Sequence, residues 1–110
     1  MNLRGVEYSL THKKSVVNRL QKEHYSRGDF IYINNSLVLI ARSDDNSIAL
    51  ICISDGIIGN LYFGPRKLES PDNCINIRRK TIEDIVYNNR CGIMYEICDA
   101  EVTIRRADES

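Results

Sequence analysis

Short apolar runs separated by turn-forming residues occupy the chain between residues 29 and 63. The runs are rich in isoleucine, leucine and valine, and they are interrupted by Asn-Asn, Ser-Asp-Asp-Asn, Asp-Gly and Gly-Asn. This alternation is typical of strands that follow one another in an antiparallel meander. We therefore predict strands over residues 29–33, 36–42 and 47–54, with a shorter strand over 61–63.

Two of these predicted strands are apolar at every position and not only at every second one. The pattern holds over residues 37–41 and again over 48–53. Such runs are typical of strands that are covered on both faces of a sheet. One face can pack on helices, and the other face then needs a second layer, a long loop or a partner chain.

A helix is predicted before the meander, over about residues 11–26. Thr11 is a residue type that caps helix N-termini, and Gly28 suits the left-handed position just beyond a helix C-terminus. Lysines, an arginine and an asparagine occupy one side of this segment. The apolar residues on the other side form a narrow stripe made of Val16, Val17 and Leu20.

A second, shorter helix is predicted over residues 81–89. Thr81 and Asp84 have the spacing of a capping box, in which two side chains satisfy free N–H groups at the helix start. The residues expected on its buried side are Ile82, Ile85 and Val86.

Further short strands are predicted near residues 6–10, 74–78, 93–98 and 102–105, the last two pairing with each other. The prolines fall in residues 64–73, which we predict as an exposed loop. The prediction is thus a single compact α+β domain over residues 1–110. It contains an antiparallel, meander-rich sheet of about five to seven short strands, with the two helices packed on it.

Composition and charge exclude several classes of protein. With 110 residues, 43% of them hydrophobic, the chain can bury a core without metals or disulfides. No apolar run reaches the roughly 18 residues of a membrane-spanning helix, so we expect no membrane partner. Lys and Arg total 15, as do Asp and Glu, so the basic excess of a dedicated nucleic-acid binder is missing. The N-terminus lacks the apolar segment of a secretory signal, which leads us to expect a cytoplasmic protein.

Residues with catalytic chemistry are few and poorly spaced. On the predicted helix, His12 and His24 would lie about 18 Å apart along the axis, which is too far to share a metal or to act as a pair. The sequence also lacks a nucleophile elbow and a glycine-rich phosphate loop. We therefore predict that the protein is not an enzyme and has no cofactor.

Four cysteines, at positions 52, 74, 91 and 98, lack metal-ligand spacing. In a cytoplasmic chain such cysteines are usually reduced and buried, and the apolar run around Cys52 indicates the core. We predict no metal site. A zinc site that includes Cys74, Cys91, Cys98 and a histidine, or a disulfide framework in an exported protein, are alternatives.

Two basic runs, at positions 12–14 and 78–80, are the candidate sites for binding a partner or an anion. The first falls in the first turn of the predicted long helix, where cations oppose the helix dipole, so a sequence selected only for stability would carry Asp or Glu there. The second lies just before the shorter helix. The six residues are His12, Lys13, Lys14, Arg78, Arg79 and Lys80.

These features favour a small non-enzymatic protein that acts by binding another protein. Inhibitors, immunity proteins, antitoxins and anti-defence proteins have this profile, because recognition of a protein surface requires shape and charge rather than fixed chemistry. Basic and acidic residues are segregated along the chain, so we expect a partner with a complementary charged surface. The alternative is a small phosphorylated ligand, a nucleotide or a nucleic acid bound through runs 12–14 and 78–80. A homodimer is a further alternative.

Overall fold

The computed structural model describes residues 2–3, 6–17, 19–44, 46–54, 57–69, 72–88 and 95–106. Within those ranges the chain forms nine strands and one helix. In chain order they are β1 (Asn2–Leu3), β2 (Val6–Lys14), β3 (His24–Tyr25), β4 (Phe30–Ile33), β5 (Ser36–Asp44), β6 (Ser47–Ser54), β7 (Ile57–Lys67), β8 (Ile77–Arg78), α1 (Arg79–Asn88) and β9 (Ile97–Arg106).

Seven of the strands form one antiparallel sheet in the order β1-β2-β9-β4-β5-β6-β7, while β3 and β8 pair as a separate ribbon. The predicted meander is confirmed, because β4 to β7 are consecutive in sequence and adjacent in the sheet. At the β4–β5 turn Asn34 adopts a left-handed φ of 55°, and Asn46 does the same after β5 with a φ of 58°. Both asparagines therefore supply the backbone conformation that tight turns require.

The α+β class is confirmed, but the prediction of two helices is wrong. None of the described residues between 11 and 26 is helical, since 11–14 belong to β2 and 24–25 form β3. The expected apolar stripe is mostly not buried, because Val16 is fully exposed and only Leu20 reaches the core. A stripe of three residues gave this segment too little apolar surface to hold a helix on the core. Pairing along β9 satisfies the backbone instead, as in the pairs Thr11 with Thr103 and Lys14 with Ala100.

The shorter helix is confirmed as α1, which begins two residues earlier than predicted; residue 89 lies outside the described residues. Its buried side consists of Ile82, Ile85 and Val86, as the spacing predicts. The predicted capping box is wrong, because Thr81 is the third residue of the helix and not its cap. The Thr81 hydroxyl donates instead to the Asp72 carboxylate at 2.6 Å.

Several strand predictions near the C-terminus are corrected. The segments predicted as two paired strands, 93–98 and 102–105, contribute instead to the single strand β9, which lies between β2 and β4; residues 93 and 94 are outside the described ranges. The strand predicted over 74–78 is reduced to β8. The loop predicted from residue 64 begins later, because β7 continues through Pro65 to Lys67. β7 tolerates the proline because it is at the edge of the sheet.

The two faces of the large sheet differ in what lies on them. We call one the covered face, because α1, the β3–β8 ribbon and residues 19–23 lie on it. Its core includes Leu20 and Tyr25 from these covering segments and the sheet residues Ile31, Ile40 and Leu50. We call the other the open face. Its buried cluster consists of Tyr32, Leu37, Ile53 and Cys98, and the half-buried residues packed against it are Leu10, Phe30, Leu39, Ala100 and Val102.

Every described member of the open-face cluster belongs to the sheet itself. The continuous apolar runs of β5 and β6 therefore have a covering layer on one face, and the described part of the chain supplies none on the other.

Candidate functional site

The structure does not gather the six predicted basic residues into one patch. Because successive residues of a strand point to opposite faces, His12 and Lys14 lie on the open face and Lys13 on the other. Arg78 and Arg79 line two different depressions of the surface. Strand pairing of residues 11–14, which replaces the predicted helix, is what divides the first run.

Three of the six residues, Lys13, Lys14 and Arg78, are paired with carboxylates. Lys13 lies 3.5 Å from Glu101, and Lys14 lies 2.8 Å from Glu96. The hydrogen bond to Glu96 raises the pKa of Lys14 above its usual value. Arg78 donates through Nε and Nη2 to both oxygens of Asp72, each at 3.1 Å. A paired cation attracts an incoming phosphate less strongly than a free one. The salt bridges therefore make the two basic runs less suitable as an anion-binding site.

Asp72 organises the join between the β3–β8 ribbon and the start of α1. Its nearly buried carboxylate accepts the Arg78 backbone N–H at 2.9 Å in addition to the Arg78 side chain and the Thr81 hydroxyl. Burial acts to raise the pKa of Asp72, but these hydrogen bonds outweigh it and hold the pKa below the usual value. Arg78 therefore has a structural role, which the sequence pattern alone did not reveal.

His12 takes part in a pair that the sequence did not predict. Its Nδ1 is hydrogen-bonded to the hydroxyl of Tyr32, which lies two strands away across β9. Burial raises the pKa of Tyr32, so the phenol remains protonated near neutral pH. The pair places a polar contact on the apolar open face.

A cleft of about 480 Å³ lies between α1 and the rest of the covered side. We call it the α1 cleft. Its walls are residues 19–21, one side of α1 and residues 95–97. The polar and aromatic residues that line it are Arg19, Arg79, Glu83, Tyr87, Tyr95 and Glu96.

Asp99 forms hydrogen bonds with the segment around residues 19–22, which forms one wall of this cleft. Its carboxylate is buried and accepts the backbone N–H groups of Gln21 at 2.9 Å and Lys22 at 3.3 Å. It also accepts a hydrogen bond from the buried Tyr25 hydroxyl. Since β9 lies inside the sheet, these bonds attach a segment without regular secondary structure to a rigid element.

The tyrosines of the α1 cleft are held in place as well. The Tyr87 hydroxyl donates to the Tyr95 carbonyl oxygen at 3.2 Å, and burial, aided by the nearby Glu83, raises the pKa of Tyr87. The Tyr95 ring meets the Phe63 ring edge-on, with centroids 6.2 Å apart. The cleft therefore has a preformed aromatic wall.

Of these cleft residues, sequence reasoning identified only Arg79. Arg79, Glu83 and Tyr87 are four residues apart, so their common side of α1 is readable from the sequence once the helix is recognised. Arg19 and Tyr95 carry no such signal, because the fold alone brings them to the cleft.

The three described cysteines, 52, 74 and 98, are free thiols. Cys52 is half-buried rather than fully in the core, and Cys91 lies outside the described residues. Cys98 is fully buried, and burial raises its pKa, so it is a poor nucleophile. Among the described residues, no three His, Cys, Asp or Glu side chains converge in a way that could hold a metal ion.

Comparison with known proteins identifies no relative: the chain matches no protein-family model, no curated protein and no solved structure. In the part of the chain described here, no helix combines the length and apolar character needed to cross a membrane.

Proposed function

We propose that the protein acts by binding another protein through the open face of its sheet. The observation that supports this most directly is the make-up of that face, where apolar side chains surround a buried cluster without any described element lying over them. The strand register adds Leu61 and Ile104 to the face, and these two side chains are 55% and 50% exposed. Exposed apolar side chains on a sheet face that no described element covers are typical of interaction sites.

The charges around the open face indicate what kind of partner would fit. The register places His12, Lys14 and Arg106 on this face, towards the β2–β9 side of the sheet. Among the side chains described on the face, Glu96 is the one carboxylate, and it pairs with Lys14. Because Lys14 is already paired, a mainly apolar partner surface with hydrogen-bonding groups towards the β2–β9 side would complement this face.

The β7 edge of the sheet is a less suitable docking place than the open face. The edge strand β7 pairs irregularly with β6, with register shifts at three positions, and it contains Pro65. Bulges and proline on an edge strand discourage the addition of a further strand. We therefore place the partner against side chains of the face and not against backbone groups of β7.

The test uses paired substitutions on and off the open face. Leu61→Glu combined with Ile104→Glu puts two charges on the face at exposed positions, so folding should persist. Ile75→Glu is the matched control, because Ile75 is 71% exposed and lies outside the large sheet. Stoichiometric partners captured from the native cell would be identified, purified and titrated by calorimetry against the wild type and both variants.

We expect one partner whose dissociation constant rises at least about tenfold with the double substitution and less than about twofold with Ile75→Glu. Between 50 and 200 mM salt the affinity should change far less than the roughly thousandfold typical of multiple phosphate contacts. Equal binding by all variants would refute the proposal. So would a wild-type dimer in sedimentation that the double substitution dissociates, because the occupant of the face would then be a second copy.

A further inference from the structure

We propose that the α1 cleft binds a small phosphate monoester of about mononucleotide size, with Arg19 and Arg79 holding the phosphate. This site is separate from the open face and does not depend on it. The volume of about 480 Å³ falls within the range of roughly 300–1,000 Å³ that is typical of small-molecule sites.

The arginines of this cleft differ from the paired cations elsewhere. Neither Arg19 nor Arg79 has an ion-pair partner among the described residues, whereas Lys13, Lys14 and Arg78 each have one. Among the described residues, the Arg79 side chain donates to two backbone carbonyl oxygens, those of Leu20 and Gln21, each at 3.4 Å. Neutral acceptors orient a guanidinium group without cancelling its charge, so both arginines retain a charge to offer.

The carboxylates of the cleft offset only part of this charge. Glu96 is engaged by Lys14 at 2.8 Å, which leaves Glu83 as the one lining carboxylate without a cationic partner in the described structure. Two free guanidinium groups match a phosphate monoester, which carries a charge of about −1.5 to −2 at pH 7, better than a singly charged carboxylate.

The rest of the cleft suits the other end of such a molecule. Glu83 can accept hydrogen bonds from sugar hydroxyl or base amino groups. Tyr87 and Tyr95 supply aromatic surface for a ring, and both are held by the contacts described above. This combination favours a nucleotide over a sugar phosphate or a free phosphate ion.

The experiment titrates the intact protein with uridine 5′-monophosphate and adenosine 5′-monophosphate, and with ribose 5-phosphate and inorganic phosphate for comparison. Binding is followed by calorimetry and by backbone amide shifts in NMR spectra. We expect at least one nucleotide to bind more tightly than ribose 5-phosphate, with the largest shifts at Gln21, Tyr87 and Tyr95.

Substitutions then test the two arginines. Arg19→Gln and Arg79→Gln should each weaken nucleotide binding by about tenfold, because each removes a charge-assisted hydrogen bond. Lys80→Gln, a neighbouring cation outside the cleft, should change it less than about twofold. Arg19 has no described hydrogen-bond partner, so its variant tests the proposal even if Arg79→Gln loosens residues 20 and 21. Leu61→Glu with Ile104→Glu should leave nucleotide binding unchanged.

The proposal is overturned if no nucleotide produces heat or shifts at millimolar concentration. It is overturned equally if Arg19→Gln binds as the wild type does, or if inorganic phosphate binds as tightly as the nucleotides.

Discussion

In β5 and β6 the two faces of the large sheet are similarly apolar in sequence but differ in what covers them. On the covered face Ile40 and Leu50 have no exposed surface, because α1, the β3–β8 ribbon and residues 19–23 cover that face. On the open face their strand neighbours Leu39 and Ile51 are only half-buried. A strand that is apolar at every position therefore needs a covering layer on each face of the sheet. The described chain provides that layer on one face.

The largest expected difference between the two faces is in the loss of stability when one leucine on each is replaced by alanine. Leu50→Ala should cost about 2–5 kcal/mol, because it leaves a cavity in a closed core. Leu39→Ala should cost about 1 kcal/mol, because solvent already reaches that side chain. Urea unfolding of both variants measures the difference, and equal losses would show that the open face is covered in solution.

Detaching residues 19–23 from β9 should make the covered face resemble the open one. Asp99→Asn should destabilise the protein by about 2–3 kcal/mol, because the N–H groups of Gln21 and Lys22 would face an amide instead of a charged acceptor. Tyr25→Phe, which removes only the hydroxyl bonded to Asp99, is the control and should cost about 1 kcal/mol. Chemical denaturation measures both, and faster amide exchange at residues 20–22 in Asp99→Asn alone would locate the effect. An Asp99→Asn protein as stable as the wild type would contradict this role.

Acidification should lower the stability of the protein gradually, by weakening the Asp72 contacts between the β3–β8 ribbon and α1. The pKa of Asp72 is lowered in the folded state, so the stability it contributes is present above the unfolded-state pKa of about 3.9 and is lost as the pH falls through the lower folded-state value. Asp72→Asn should be less stable at neutral pH and should lose less further stability on acidification. Thermal melts from pH 7 to pH 2 measure this, with Asp84→Asn, at an exposed site on the same helix, as the control. Parallel pH curves for wild type and Asp72→Asn would refute it.

The meander was predictable because its strands and turns are determined by residues that are close together in the sequence. Asn34 and Asn46 mark turns whose conformation asparagine favours, and the apolar runs between the turns define strands. The shorter helix was predictable for the same reason, since Ile82, Ile85 and Val86 repeat at helical spacing.

The failures arose where distant residues decide the structure. Residues 11–14 form a strand because they pair with residues 100–103. No pattern within residues 11–14 predicts that pairing. The α1 cleft is similar, because Arg19 and Tyr95 approach α1 only after the chain has folded. Arg79 was predicted as a site residue because it lies in a basic run. Nothing in that run distinguished it from Arg78, which forms a salt bridge with Asp72.

The placement of β9 has a consequence for how the protein is made. Its partners β2 and β4 precede it by many tens of residues, and Thr11 is hydrogen-bonded to a residue 92 positions later. While a ribosome is still synthesising residues 97–106, β2 and the β4–β7 meander have no strand between them. Neither β2 nor that side of β4 can complete its native pairing before β9 has been synthesised, and folding should be slow compared with that of helical domains of similar size.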